Sequence, residues 1–210
     1  MKNIIIVGAG GFGREMLMTI NEINHESQIW NVLGFIDDNP YALDGIKCDR
    51  GIIGDISHRM VENDEEYVIA IANPVIKKRI VEDLKKRGAK FATIIHPTTR
   101  LDKSTEIGEG VVLAARADIT TNCIIGDFVF CNVAAQVGHD SVVGSYSTLF
   151  PNCSIAGGSV LGEGVTVGTS ASTHPGIKVG DYATLGMNSA VIRNVKAFTT
   201  VMGVPAKRIL

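Results

Sequence analysis

A six-residue period runs without interruption from Leu101 to Val191, and it limits what this chain can fold into more than any other feature. Every sixth residue in that stretch is a large aliphatic one, apart from Cys131 and Thr173. The next residue is often Gly, and the residue four positions on is small or β-branched. This period fits neither the 3.6-residue repeat of an amphipathic helix nor the two-residue alternation of a strand.

A chain that turns a corner every six residues explains the period. Short strands would form three flat walls per coil, with the aliphatic residue inside each corner and the small residue where the walls converge. Glycine suits such corners because it tolerates close backbone approach and unusual dihedral angles. Fixed repeats of this kind indicate a parallel β-helix, in which each coil buries its face on the next. We assign residues 98–210 to this β-helix domain, with a tail after Val191.

The chain before the repeats begins with a strand, a glycine-rich loop and a helix. The strand covers Lys2–Val7, the loop Gly8–Gly13 has the pattern G-x-G-x-x-G, and the helix is predicted at 14–23. Such a loop brings backbone N–H groups and a helix N-terminus up to a phosphate. A second strand ends in Asp37 and Asp38, where an acidic residue can bind a ribose or a base.

Only one further strand–helix–strand unit follows, with strands at 67–72 and 91–95 around a helix at 74–87. That is too little for a complete dinucleotide-binding fold. We therefore predict a small Rossmann-like α/β domain over residues 1–97 that holds a nucleotide-linked group. A short helix is also expected near 55–61, and a bulge is expected in the coil that contains Thr173.

Composition excludes several functional classes. The chain is 45% hydrophobic and 20% charged, as is usual for a globular protein. A net charge of −2 argues against nucleic-acid or membrane-surface binding. The N-terminus reads as a strand rather than a signal peptide, and no apolar run has membrane-spanning length, so a cytoplasmic location is predicted.

The cysteines give no sign of a metal site or of a covalent mechanism. No C-x-x-C pair is present, so no metal is predicted. Cys123, Cys131 and Cys153 fall at inward positions of the repeat, where a free thiol packs as a small hydrophobe. An acyl-carrying thiol is the alternative reading of these positions.

The dipeptide His139-Asp140 is the strongest candidate for catalysis. His139 stands at an outward position of its hexapeptide. A neutral imidazole can take a proton near pH 7, and a neighbouring carboxylate favours the imidazolium that forms. The C-terminal part of the chain is also basic, which suits phosphate groups, although solubility alone would explain it. Its basic residues, set against the single acid Asp181, are Lys178, Arg193, Lys196, Lys207 and Arg208.

The hexapeptide repeat, the terminal Gly-Val-Pro-Ala-Lys at 203–207 and the small nucleotide-binding domain together resemble a known group. The chain is similar over nearly its whole length to bacterial sugar acetyltransferases of the left-handed β-helix superfamily. Within it, the resemblance is to the branch that N-acetylates nucleotide-linked amino sugars, including UDP-4-amino-sugar enzymes. It implies a left-handed β-helix, a homotrimer, acetyl-CoA as cosubstrate and direct transfer to a nucleotide-linked amino sugar.

The resemblance also implies roles for individual residues. His139 is the general base, Asp140 raises its basicity, and the backbone N–H of Gly157 meets the thioester carbonyl. The implied substrate-binding residues are Gly10, Gly11, Phe12, Asp37, Asp38, Ala72, Asn73 and Asn132. The implied cofactor-binding residues are Thr148, Gly157, Thr169, Met187 and Lys207. Thr148 and Phe12 depart from the family, which often has histidines there, so no particular sugar is assigned.

Two other functions stay open from the sequence alone. Sialic acid O-acetyltransferases share the same layout, so a sugar hydroxyl is the alternative acceptor. A protein of a different class, a non-catalytic sugar-binding or scaffold protein, would be favoured if His139 were dispensable or acetyl-CoA failed to bind.

Overall fold

The computed structural model describes residues 1–209, which form two compact units, at 1–94 and from 95 onwards. Unit 1 contains a five-stranded parallel sheet in the order β3-β2-β1-β4-β5 and two helices. Its elements are β1 (Lys2–Val7), α1 (Gly11–Glu26), β2 (Trp30–Ile36), β3 (Ile52–Gly54), β4 (Glu65–Ile69), α2 (Pro74–Lys86) and β5 (Lys90–Phe91). The small α/β domain expected from the sequence is confirmed.

The glycine-rich loop of unit 1 brings α1 close against β1. A side chain on Gly13 would overlap the carbonyl oxygen of Gly8, so only glycine permits this distance. Helix α1 starts at Gly11, inside the loop, and is longer at both ends than the predicted 14–23. The loops after β1 and β4 lie at the carboxyl edge of the sheet, where the strand order reverses. Ligands of open α/β sheets bind at such a position.

The short helix expected near 55–61 does not form. Residues 56–58 make a turn, in which Asp55 Oδ1 accepts the His58 N–H at 2.6 Å. The Arg87 guanidinium donates to the carbonyl oxygens of Ile56 and Arg59 at 2.6 and 3.0 Å. Because a helix would direct these carbonyls to its own N–H groups, the arginine holds the segment in another conformation.

The second unit is a parallel β-helix with three walls, which we number in chain order. Wall 1 comprises Arg100–Leu101, Asp118–Ile119, Gln136–Val137, Ser154–Ile155, Ser172–Thr173 and Ala190–Val191. Wall 2 comprises Glu106–Ile107, Ile124–Ile125, Val142–Val143, Val160–Leu161 and Lys178–Val179. Wall 3 comprises Ile94–Ile95, Val112–Leu113, Phe130–Cys131, Thr148–Leu149, Thr166–Val167, Thr184–Leu185, Thr200–Gly203 and Ala206–Arg208. The parallel β-helix predicted from the repeat is confirmed, and so is the left-handed class that the resemblance implies.

Strand pairs stack residues that are 18 apart, such as Arg100 and Asp118, so three hexapeptides make one coil. We call the turn after wall 1 corner 1, the turn after wall 2 corner 2 and the turn after wall 3 corner 3. One residue of most corners has a left-handed backbone, with φ near +57° at Asp140, Asn122 and Asn152. Residues in register on one corner therefore form a column along the helix axis.

The interior of the β-helix is a continuous apolar column built by the residues of the hexapeptide repeat. Cys123, Cys131 and Cys153 all lie in this core, so their predicted burial is confirmed. Burial raises the pKa of the Cys153 thiol to about 12, which keeps it protonated at neutral pH. A buried neutral thiol is a poor nucleophile.

The bulge expected at Thr173 is only a local change in hydrogen bonding. The coil keeps its length, and Thr173 pairs in register with Val191 on the next coil. On the preceding coil, the Ala156 N–H donates to the Thr173 hydroxyl at 3.0 Å. At the equivalent place one coil earlier, the Gly138 N–H donates to the Ile155 carbonyl at 2.7 Å. A hydroxyl thus replaces one carbonyl of the ladder.

Candidate active site

His139 and Asp140 are hydrogen-bonded to each other on the outer surface of corner 1. Asp140 Oδ2 lies 2.8 Å from Nδ1 of His139, and both side chains are more than half exposed. Hydrogen bonds from His139, and secondly from Asn122, lower the pKa of the Asp140 carboxyl below its ordinary value. An ionised carboxylate only accepts hydrogen bonds, so Nδ1 carries the proton and Nε2 has a free lone pair. Nε2 is therefore the ring nitrogen that can accept a proton.

Gly157 lies one coil after His139, directly beneath the imidazole ring. A Cβ atom on Gly157 would stand 2.5 Å from Nε2 of His139, so the ring can take its place only over a glycine. Among the described residues, the Gly157 N–H makes no backbone hydrogen bond, whereas the Gly158 N–H donates to the His139 carbonyl at 2.7 Å. A potential base and an unused donor thus lie side by side.

Asn122 belongs to this site but was not singled out in the sequence. Its Nδ2 donates to Asp140 Oδ1 at 3.3 Å, from the coil before. The two residues are 18 apart, so reading the sequence by coils rather than by hexapeptides would have placed them in one column.

Three of the predicted ligand residues lie at a different corner from His139. Asn132, Thr169 and Met187 are at corner 3, because each follows a strand of wall 3. Thr148 lies in a wall 3 strand and is buried. A wall of six residues separates neighbouring corners by roughly 20 Å. One chain therefore brings His139, Asp140 and Gly157 together, but not these four residues with them.

Lys207 lines a basic pocket at the C-terminal end of the β-helix. The pocket has an apolar floor that includes Val195 and Val201, and cationic residues at its rim. Those cations are Arg193, Lys196, Lys207 and Arg208. Arg193 lies in the same corner 1 column as His139, three coils further along. Since neighbouring coils are about 4.8 Å apart, the two residues are separated by about 14 Å along the axis.

The predicted nucleotide-binding residues of unit 1 gather at the carboxyl edge of its sheet. Gly10 caps α1 without a side chain, and no acidic residue occupies the first turn, so the helix N-terminus suits an anion. Asn73 caps α2, its Oδ1 accepting the Val75 and Ile76 N–H groups at 3.0 Å. Gly11 and Phe12 begin α1, and Ala72 lies in the loop after β4.

Asp37 and Asp38 already have partners in the protein. Asp37 Oδ2 accepts the Ala9 N–H at 2.7 Å, which fixes the glycine-rich loop. Asp38 Oδ1 accepts the Ile56 N–H at 2.9 Å, in the segment that Arg87 holds. Each carboxylate has further lone pairs, so both can still accept a hydrogen bond from a ligand. Their first role is nevertheless to shape the loops around the edge.

Comparison with known proteins shows which families the chain is similar to. The family model described as the PglD N-terminal domain matches residues 3–84. The chain is 32% identical over 149 residues to the GDP-perosamine N-acetyltransferase of Escherichia coli O157:H7, covering 70% of this chain and 66% of that relative. It is 33% identical over 117 residues to the UDP-N-acetylbacillosamine N-acetyltransferase of Bacillus subtilis (strain 168), covering 55% and 52%. The matched segments thus span less than two thirds of these relatives' lengths.

The solved structure of PerB from Caulobacter crescentus matches over both units. It superposes with a TM-score of 0.88 and 25% identity, covering 99% of this chain and 97% of that one, and it contains CoA and GDP-perosamine. Over both units the chain is therefore similar to nucleotide-amino-sugar N-acetyltransferases of the β-helix superfamily. The names of these relatives confirm the resemblance that was drawn from the sequence. The roles of individual residues stay predictions.

Residues 1–209 contain neither a membrane-spanning helix nor a cluster of metal-ligating side chains. Neither helix in residues 1–209 is long and apolar enough to cross a membrane. Within the same residues, no three His, Cys, Asp or Glu side chains are grouped so as to hold a metal ion.

Proposed function

We propose that this chain transfers the acetyl group of acetyl-CoA to the amine of a nucleotide-linked amino sugar, with His139 as general base. The observation that carries the proposal is the arrangement at corner 1. There Asp140 holds the proton on Nδ1, and Nε2 lies over Gly157. That arrangement supplies a proton acceptor beside an unused backbone donor, in a chain whose relatives are named as N-acetyltransferases.

The proposed reaction needs one proton acceptor and no covalent enzyme intermediate. The sugar amine attacks the thioester carbonyl, the C–N bond forms, and the C–S bond breaks to release the CoA thiolate. The amine proton passes to Nε2 of His139, and Asp140 favours the imidazolium that results. His139 can then return the proton to the departing thiolate. The burial of the core cysteines, with the pKa of Cys153 raised to about 12, supports direct transfer without an acyl-enzyme.

Gly157 supplies the donor that acyl transfer requires. Negative charge develops on the thioester oxygen as the amine adds, and a fixed N–H group directed at that oxygen lowers the barrier. The Gly157 N–H is unused by the backbone of the described residues, and its missing side chain leaves space beside Nε2. Gly157 thus provides an N–H group for the thioester oxygen and, because it lacks a side chain, room for the imidazole of His139.

The basic pocket suits the phosphates of CoA, whose binding to this chain we infer from chemistry. Arg193 lies along the same corner as His139, about 14 Å away, a length that an extended pantetheine arm can cover. Its neighbours Lys196 and Lys207 add positive charge, and the valine floor can take an adenine ring. PerB, which has the same fold, contains CoA.

Unit 1 is assigned the nucleotide. Its glycine-rich loop and the N-terminus of α1 suit a phosphate, and Asp37 and Asp38 border the same edge of the sheet. One relative is named for a GDP-linked sugar and another for a UDP-linked sugar, so both nucleotides are candidates.

A homotrimer is part of the proposal, because one chain does not complete the site. Asn132, Thr169 and Met187 lie a wall away from His139, so they can join it only from a neighbouring copy. Wall 2, which borders corner 1, exposes a column of apolar side chains at Ile124, Val142 and Val160, with Ile124 46% and Val160 41% exposed. A second copy that covered this column would lie at the margin of corner 1.

Steady-state turnover of acetyl-CoA tests the acceptor class. GDP-linked and UDP-linked amino sugars are compared with the corresponding free amino sugars and with free sialic acid, using His139→Ala protein as the blank. We expect a nucleotide-linked amino sugar to exceed its free counterpart in both kcat and kcat/KM, because remote binding energy holds the amine in place. Faster acetylation of free sialic acid than of every nucleotide-linked sugar would replace this proposal with O-acetylation.

A further inference from the structure

A series of hydrogen bonds runs along corner 1 and ends at the proposed base. Asp102 Oδ1 accepts the Ser104 hydroxyl at 2.6 Å, and the Ser104 hydroxyl oxygen accepts the Asn122 N–H at 2.8 Å. Asn122 Nδ2 donates to Asp140 Oδ1 at 3.3 Å, and Asp140 Oδ2 lies 2.8 Å from Nδ1 of His139. The chain therefore spans two coils before it reaches His139.

The backbone of Asn122 is anchored differently from its counterpart one coil later. At Asp140, the N–H donates to the carbonyl of Thr121 on the preceding coil, at 3.0 Å. At Asn122 the Ser104 hydroxyl takes that N–H instead, and both residues have the left-handed backbone, with φ of 55° and 59°. Asn tolerates this conformation better than most residues. Asn122 is thus fixed in the position from which its amide reaches Asp140.

We propose that Asn122 is a positioning residue, which acts through Asp140 to set the orientation and tautomer of His139. This inference rests on the proposed role of His139 as base. The observation behind it is that the two oxygens of the Asp140 carboxylate have different partners: Oδ1 faces Asn122 and Oδ2 faces His139. Once Oδ1 is held by the amide, Oδ2 points at Nδ1, the proton stays on Nδ1, and Nε2 stays free over Gly157.

The exposure of the pair explains why a second anchor is needed. The side chains of His139 and Asp140 are 67% and 59% exposed, and even a charged pair at that exposure contributes little energy on its own. Without Asn122, the carboxylate can rotate towards water and release the imidazole. Catalytic geometry tolerates only small displacements, so even a weak contact that removes rotamers affects kcat.

The test compares Asn122→Gly with Asn152→Gly. Glycine accepts a left-handed backbone, so neither variant introduces strain. Asn152 has φ of 58°, lies at corner 3, and its side chain makes no hydrogen bond to another described residue. We expect Asn122→Gly to lower kcat about tenfold with both KM values within twofold of wild type, and Asn152→Gly to leave kcat unchanged. Asn122→Asp, which keeps the shape but places a second carboxylate beside Asp140, should lose at least as much.

Two further measurements separate positioning from a general structural effect. In an Asp140→Ala background, Asn122→Gly should cause no additional loss, because its route to His139 is already cut. Long-range ¹H–¹⁵N NMR of labelled histidine at pH 8.5 should show His139 protonated on Nδ1 in wild type, and a tautomer mixture in Asn122→Gly.

The outcomes distinguish this inference from the proposed function. An unchanged kcat in Asn122→Gly, an additional loss in the Asp140→Ala background, or an unchanged tautomer would overturn the role of Asn122. An inactive wild-type protein whose His139 tautomer still depends on Asn122 would overturn the proposed function and leave the positioning role in place.

Discussion

At the scale of single residues, the site depends on what is missing as much as on what is present. The imidazole of His139 lies where a side chain on Gly157 would be, and it contacts the carboxylate of the next residue in the chain, Asp140. Because consecutive residues at a corner supply the proposed base and its partner, the dipeptide could be recognised in the sequence. The glycine beneath it could be recognised only by counting one full coil forward.

Gly157→Ala should therefore damage catalysis more than folding. The added methyl group would meet Nε2 of His139 at 2.5 Å, and the exposed ring can swing away at little cost in stability. We expect kcat to fall by about 10²-fold, towards that of His139→Ala, for which a loss of about 10²–10⁴-fold is expected. Circular dichroism melting curves should stay within a few degrees of wild type.

The control for that prediction is the double variant. In a His139→Ala background the methyl group no longer displaces a ring, so Gly157→Ala should add little further loss. If Gly157→Ala retains more than half of wild-type kcat, the ring does not need its place over the glycine.

At the scale of elements, how much the sequence could predict differs between the two units. The hexapeptide period sets wall, corner and inward position for every residue of the β-helix, because its pairing partners are always one coil away. Unit 1 has no such period, and its contacts bridge long sequence distances. The turn at 56–58 depends on Arg87, about 30 residues later, which no local pattern could reveal. The predicted strand at 91–95 likewise divides between the sheet and wall 3.

Long-range polar contacts account for the other features that the sequence did not reveal. Asp37 and Asp38 accept backbone N–H groups from Ala9 and Ile56, and their contact with a ligand stays a prediction. Replacing Asp37 would therefore loosen the glycine-rich loop as well as remove a ligand contact. Asn122 was missed for a different reason, because its partner lies in register on the next coil rather than nearby in the chain.

The packing of α1 on β1 gives a prediction at this scale. Gly13→Ala would drive a Cβ atom into the Gly8 carbonyl oxygen, so helix and strand must separate. We expect a loss of at least about 2 kcal/mol in the free energy of unfolding of unit 1, measured by denaturant titration of Trp30 fluorescence. Gly10→Ala is the matched control for stability, since nothing lies within 4 Å of its added atom. Equal stability of the two variants would contradict the close contact.

The cysteines in the core of the β-helix give a second prediction at this scale. Cys123, Cys131 and Cys153 are buried, whereas Cys48 is partly exposed. Since burial raises the pKa of Cys153 to about 12, its thiolate is absent at pH 8. Iodoacetamide should therefore modify Cys48 alone in the native protein, and all four thiols after denaturation, as read by peptide mass spectrometry. Acetyl groups trapped on a core cysteine during turnover would refute single-step transfer.

At the scale of the whole molecule, the residues assigned to one reaction are distributed over two corners of the prism. Corner 1 holds the proposed base and the proposed N–H donor, and corner 3 holds Asn132, which the family resemblance places near the acceptor sugar. Wall 2 has an exposed apolar column beside corner 1, where self-association would remove it from water. Sedimentation equilibrium should accordingly give three times the 22.4 kDa chain mass.

Complementation between two inactive variants tests whether the copies share a site. His139→Ala removes the base, and Asn132→Asp removes the amide donor while keeping the oxygen that accepts the Val133 N–H at 2.6 Å. If a site takes His139 from one copy and Asn132 from its neighbour, mixed trimers contain some intact sites. Random 1:1 mixing leaves half of the copies intact at each position, so about one quarter of wild-type turnover should return. Each variant mixed with itself is the control, and both must have the wild-type mass. Turnover no greater than the sum of the two parents would show that Asn132 and His139 do not meet across an interface.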